Sequence, residues 1–144
     1  MVIGTDTSFL FSLYGNDKHS PAAVSWAAGN TEVVSISAFN RFELVNALRF
    51  AECRNTIPKG AAARQFALFE IDLRAGRLVE RRSSLADILA EAFLLSAAHT
   101  LAGGHRGFDI LHVAAARIMG ATHFLTFDGN QRRLAAAVGL DLPL

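Results

Sequence analysis

Val2-Ile3-Gly4-Thr5-Asp6-Thr7-Ser8, followed by the apolar run Phe9 to Tyr14, is the stretch from which the fold is read most directly. Val2 to Thr5 is a short β-rich run that ends on an acid, and Ser8 stands where a helix cap is expected, ahead of Phe9 to Tyr14. A strand therefore feeds a helix across a carboxylate. The same order returns late in the chain: Thr122 to Phe127 reads as a strand, ends on Asp128, and leads into a helix over roughly Asn130 to Val138.

The intervening sequence alternates in the same way. Ser20 and Pro21 open a short helix over 21 to 28 that stops at Gly29. Glu32 to Ile36 is a second β-rich run, and Ser37 caps a long helical pattern from Ala38 to about Cys53. Asn55 to Lys59 is a loop whose Pro58 opens the next helix, in which Phe66, Phe69 and Leu73 recur at three and four residues. Leu78 and Val79 form a short third strand. Ser84 with Asp87 resembles a capping box ahead of a helix from Leu85 to about Leu101, which Gly103, Gly104 and Gly107 break; Phe108 to Met119 is a further helix, stopped at Gly120. Strands alternating with helices predict an α/β sandwich with a mainly parallel sheet, whose ligands bind at the carboxyl ends of the strands. Asp6 and Asp128 fall at two such ends, which right-handed crossovers allow to be neighbours.

At 144 residues, 51% of them hydrophobic and 19% charged, the chain has the size and composition of one self-sufficient domain spanning 1–144. The net charge of +1 gives no overall basic field to draw nucleic acid, although all cationic side chains except Lys18 and Lys59 are arginine, the better bidentate phosphate ligand. Cys53 is the only cysteine, so an internal disulfide and a thiolate zinc site are excluded. The histidines are not paired at helical i, i+4 spacing for zinc, and His112 reads as a hydrogen-bonded helix-face residue. The N-terminus lacks a basic, cleavable leader, and the apolar segment Ile88 to Leu95 contains Glu91 and is shorter than the ~20 residues of a membrane span. A cytoplasmic protein without a membrane segment is expected.

The acids carry the chemistry. Asp6 follows an apolar strand, where an ionised group must be compensated by a cation or by hydrogen bonds; an Asx-type cap on the amides of Thr7 and Ser8 would also serve. Glu43 is out of place among Phe39, Phe42, Leu44, Val45 and Leu48, unless it pairs with Arg41 or Arg49, and Asn46 lies three residues on, on the same helix face. Asp109 opens a helix within the run Arg106-x-x-Asp109-x-x-His112, and an acid there also suits the helix dipole. Asp128 precedes Gly129 and Asn130 and is equally well placed to cap the last helix. Thr126 and Ser8 add hydroxyls at the same strand ends. Together these form an oxygen-only donor set of the kind Mg²⁺ or Mn²⁺ prefers, suited to phosphodiester hydrolysis by an activated water.

Four motifs occur in order: Val2-Ile3-Gly4-Thr5-Asp6-Thr7-Ser8, Phe42-Glu43-Leu44-Val45-Asn46-Ala47-Leu48-Arg49, Arg106-Gly107-Phe108-Asp109-Ile110-Leu111-His112-Val113, and Leu125-Thr126-Phe127-Asp128. Over residues 2 to 138 this pattern resembles the PIN domains of VapC-type toxins. The resemblance implies a three-layer α/β/α fold around a parallel sheet and Mg²⁺- or Mn²⁺-dependent cleavage of RNA, whether tRNA, rRNA or mRNA. It also implies neutralisation by a cognate VapB-type antitoxin, and a homodimer. It assigns Asp6, Glu43, Asp109 and Asp128 as catalytic metal ligands, with Ser8, Asn46, Arg106 and Thr126 in support. A catalytically silent RNA- or protein-binding module and a housekeeping nuclease are the alternatives. A phosphotransferase of the haloacid-dehalogenase type would need an acid where Ser8 stands, and a receiver domain a lysine after a late strand; both are excluded.

Overall fold

A computed structural model describes all 144 residues. Its strands are β1 (Ile3–Thr5), β2 (Val34–Ile36), β3 (Leu78–Glu80) and β4 (His123–Leu125), hydrogen-bonded in the order β3-β2-β1-β4. Every pairing is parallel, with Ile3 opposite both Val34 and His123, and Val34 opposite Leu78. The helices are α1 (Thr7–Tyr14), α2 (Ser20–Gly29), α3 (Ala38–Cys53), α4 (Ala61–Arg74), α5 (Leu85–Gly103), α6 (Gly107–Ile118) and α7 (Gly129–Ala137).

The period-two rule for strand side chains divides the core between the two faces of this sheet. On one face Ile3, Ile36 and Leu125 join Phe9 and Leu10 of α1, Leu44 and Leu48 of α3 and Phe69 of α4. On the other, Phe124 meets Ile88 and Leu95 of α5, Val113 and Ala114 of α6 and Leu134 of α7. The result is the expected α/β/α sandwich, with α1 to α4 on one side and α5 to α7 on the other. Phe9, Phe69 and Phe124 are completely buried, each contributing about 1.5–3 kcal/mol over an exposed side chain. Gly4 is what brings α6 close to β1: a Cβ there would meet the Ala116 Cβ at 2.8 Å, a spacing that side chains do not tolerate. That approach sets the start of α6, with Asp109, near the end of β1.

Several local expectations are corrected. Asp6, not Ser8, is the N-cap of α1, accepting from the Phe9 N–H, so the helix begins earlier, at Thr7. Pro58 does not open α4; it sits in the preceding turn, and the cap is Gly60 at φ 80. Gly107 is the first residue of α6 rather than a breaker, while Gly104, at φ 65, ends α5. Ser84 accepts from Asp87 N–H without the reciprocal bond of a full capping box. Strand β4 stops at Leu125, because Thr126 and Phe127 turn into the site. The apolar stretch around Ile88 to Leu95 belongs to a 19-residue helix with a mean hydropathy of 1.4, by length and composition enough to cross a bilayer. In the fold, α5 packs along α6, and Glu91 pairs with Arg117 at 2.6 Å.

The loop into α4 is held by one carboxylate. Glu52 accepts from the Gly60 N–H at 2.6 Å and the Ala62 N–H at 2.9 Å, and these two bonds hold it below the usual carboxylate value. A carboxyl whose folded value is depressed contributes stability that is complete above the unfolded value of about 4.5 and is lost as pH falls through the folded value. Glu52→Gln is therefore expected to be less stable than the parent near neutral pH, the difference shrinking in urea titrations run progressively below pH 4.5. A difference that stays constant across that range would contradict this account.

Candidate active site

The carboxyl ends of β1 and β4 are joined by a web of short hydrogen bonds centred on Asp6, which is only 4% exposed. Asp6 Oδ1 accepts from the Ser8 hydroxyl at 2.7 Å and from the Phe9 N–H at 3.2 Å, and Oδ2 accepts from the Thr126 hydroxyl at 2.6 Å. Ser8 and Thr126 then act outward. The Ser8 oxygen accepts from Phe127 N–H at 2.9 Å, and the Thr126 oxygen from Asp128 N–H at 3.0 Å, so both hydroxyls fix the loop after β4 relative to Asp6. Every donor to Asp6 is neutral. Burial pushes its carboxyl above the usual carboxylate range, although the bonds from Thr126, Ser8 and Phe9 pull the other way.

Glu43 belongs to a second web on the same end of the sheet. It does not pair with Arg41, which bonds Glu70 at 2.6 Å and Glu80 at 3.4 Å, nor with Arg49. Its Oε2 is instead engaged by the Thr7 hydroxyl and by His112 Nε2. Burial would raise the Glu43 carboxyl, but the bonds from His112 and Thr7 outweigh it and hold the group below its usual value. The proton position on His112 follows from Asn40. Ser37 N–H donates to Asn40 Oδ1 at 2.8 Å, which turns the Asn40 NH₂ toward the Thr5 carbonyl at 3.0 Å and toward His112 Nδ1 at 3.1 Å. Nδ1 must then accept, so Nε2 carries the hydrogen and donates it to Glu43.

Asp109 lies in the first turn of α6, its Oδ2 3.2 Å from Nε of the exposed Arg106, and its backbone carbonyl accepts from Gln131 Nε2 at 3.0 Å. A pair so exposed contributes at most about 1 kcal/mol, so its consequence is orientation of Asp109 rather than stability. Asp128 caps α7, Oδ1 accepting from the Gln131 N–H at 2.8 Å. Gln131 thus ties the start of α6 to the cap of α7.

The four acids therefore surround one end of the sheet, but no three acid, imidazole or thiol side chains are spaced to hold one ion as they stand. Asn46 is exposed and makes no hydrogen bond to Glu43, so the expected carboxylate and amide pair is not formed. Asn40, buried one turn before Glu43, reaches that carboxylate only through His112. Thr7, Asn40 and the Glu43 contact of His112 were not foreseen from sequence. Only the three-residue step from Ser37 to Asn40, a capping-box spacing, offered a signal.

A family model described as PIN domain matches residues 3–137. Among solved structures, VapC20 of Mycobacterium tuberculosis, described as a toxin that cleaves the sarcin-ricin loop, aligns with a TM-score of 0.72 at 20% identity, covering 96% of this chain and 95% of that one. PAE2754 of Pyrobaculum aerophilum aligns at 0.60 with 18% identity over 99% of this chain and 83% of that one. FitAcB of Neisseria gonorrhoeae gives 0.60 and 18% over 99% and 96%. At these identities the likeness is one of fold. No curated protein sequence matches the chain significantly.

Proposed function

The chain belongs to the PIN-domain family, and from that premise we propose that it is a metal-dependent endoribonuclease, the toxin of a type II toxin–antitoxin system. The observation that carries this reading is Asp6: a carboxylate 4% exposed, at the junction of two strand ends, with three hydrogen-bond donors and no cation beside it. An ionised group in that position is compensated by a bound cation far better than by neutral donors.

The donor set fits Mg²⁺ or Mn²⁺ of the largely hydrated kind, which takes one or two carboxylates and keeps several waters, rather than a cage of three converging side chains. Asp6 and Asp109 are the proposed direct ligands, with Glu43 and Asp128 reaching the ion directly or through its waters. When bound, such an ion supplies a more acidic water and countercharge for the leaving oxygen of a phosphodiester. The chain's own residues do the positioning. Ser8 and Thr126 fix the Asp6 rotamer, Thr7 and His112 fix Glu43, and Arg106 orients Asp109 while presenting a cation toward an approaching phosphate.

A VapB-type antitoxin and a second copy of the chain are the proposed partners, in a cytoplasmic setting. The α5 surface, where Phe93 is 77% and Leu94 67% exposed, supports a protein contact on that side of the molecule. Purified protein is expected to cut RNA when Mg²⁺ or Mn²⁺ is present and to stop when EDTA is added. Cutting that EDTA leaves untouched would refute the metal-dependent reading, and harmless expression of an active enzyme in bacteria would refute the toxin assignment.

A further inference from the structure

Beside the acid web, an aromatic column runs from the core to the surface. Phe9, fully buried, has Trp26 edge-on at 5.5 Å and Phe127 stacked at 6.1 Å; His19 then lies on Phe127 with ring centroids 4.5 Å apart and planes 2° from parallel. The outermost ring, His19, is half-buried and its imidazole makes no hydrogen bond, so its remaining face and both nitrogens are uncommitted. This column is tied to the acid web at Phe127 and held in place at His19. Ser8, which donates to Asp6, also takes the Phe127 N–H, and Asp17 holds the turn carrying His19 by accepting from the His19 N–H at 2.8 Å and the Ser12 hydroxyl at 2.8 Å.

His19 and Phe127 line a cleft of about 330 Å³ that also presents Thr7, Ser8, Asp17 and Asp128. Two carboxylates and no lysine or arginine face it, so a phosphate is not its occupant. The lining suits a flat, uncharged group with hydrogen-bond donors. Asp128 Oδ2, left free of the cap to α7 because that cap uses Oδ1 alone, has two lone pairs and can accept from a base amino group beside a water of the ion.

We infer that this cleft is a subsite for one unpaired nucleobase of the RNA, stacked on His19 and adjacent to the phosphodiester at the acids. This rests on the nuclease reading for its substrate class, and it names His19 as the residue that places the strand. Stacking on an aromatic platform tolerates every base, whereas Asp128 favours bases that carry an amino group.

The test uses a short single-stranded RNA with 2-aminopurine walked along its length, bound in Mn²⁺ to Asp109→Asn protein and, separately, cut by the parent. At one position near the scissile bond, binding is expected to quench the 2-aminopurine fluorescence. Adding His19→Ala is expected to abolish that quench and weaken binding about ten-fold, and in the parent to raise KM with little change in kcat. His19→Phe, which keeps a ring but not the nitrogens, is expected to restore both. Equal quench and affinity with His19→Ala would overturn the subsite while leaving the nuclease reading intact. Quenching that depends on His19 in a protein that cuts no RNA would keep the subsite and overturn the nuclease. A chain that binds no RNA in any form would overturn both.

Discussion

Asp6→Asn is expected to reduce RNA cleavage by about two to three orders of magnitude, the size of effect seen when one preorganised electrostatic group is removed from a reacting centre. The substitution keeps the shape of the side chain and its acceptor for Ser8 and the Phe9 N–H, so the fold is expected to survive. Metal-free stability is expected to move the other way. Burial holds the Asp6 carboxyl above its usual value of 3.8, so its burial is a cost that is absent below 3.8, grows as pH rises from there and is complete above the folded value. Asparagine carries no such cost, and Asp6→Asn should melt no lower than the parent in EDTA near neutral pH while losing catalysis. Wild-type cleavage rates in the variant would remove Asp6 from the chemistry; a collapsed fold would show that its role is capping.

His112→Ala is expected to have the largest effect on stability, about 2–4 kcal/mol in urea unfolding. The imidazole is 2% exposed and its two nitrogens face Asn40 and Glu43. Truncation leaves a cavity between α3, α6 and β1, leaves the Asn40 amide with an unused donor and frees Glu43 from its second anchor. Cleavage is expected to fall as well, by about ten-fold, since Glu43 would then be held by Thr7 alone. A loss of less than about 0.5 kcal/mol would show that the three-residue chain Asn40, His112, Glu43 is not structural.

The alternation of strands and helices was legible in the sequence because β1 and β2 are buried along their whole length and several helix ends carry a cap or a glycine, as at Ser37 and Gly120. Edges were less legible. Thr126 and Phe127 are β-formers by type, yet Thr126 is drawn out of β4 by its bonds to Asp6 and Asp128, a tertiary preference that local propensity does not carry. For the proposed site, sequence placement singled out Asp6, Glu43, Asp109 and Asp128 as candidates, whereas the hydrogen-bond partners the structure gives them were not legible. Glu43 looks as if it should meet Arg41 or Asn46, its neighbours on the helix, but the face it occupies is decided by how α3 packs against α6, and that puts His112 nearest. The close approach of Gly4 to Ala116, which seats α6 on β1, likewise links residues far apart in the chain. The cap at Asp6 shows the same limit in miniature, since Asp6 and Ser8 are both good caps and only the three-dimensional demand for Ser8 at Phe127 decides between them.

Direct titration of Mn²⁺ into the protein, followed by the loss of the free-ion electron paramagnetic signal, tests the central claim without knowledge of the RNA target. Saturable binding to the parent that is lost or greatly weakened in Asp6→Asn is the expected result. Equal Mn²⁺ binding by the two proteins, or no binding by either, would contradict a metal centre built on Asp6.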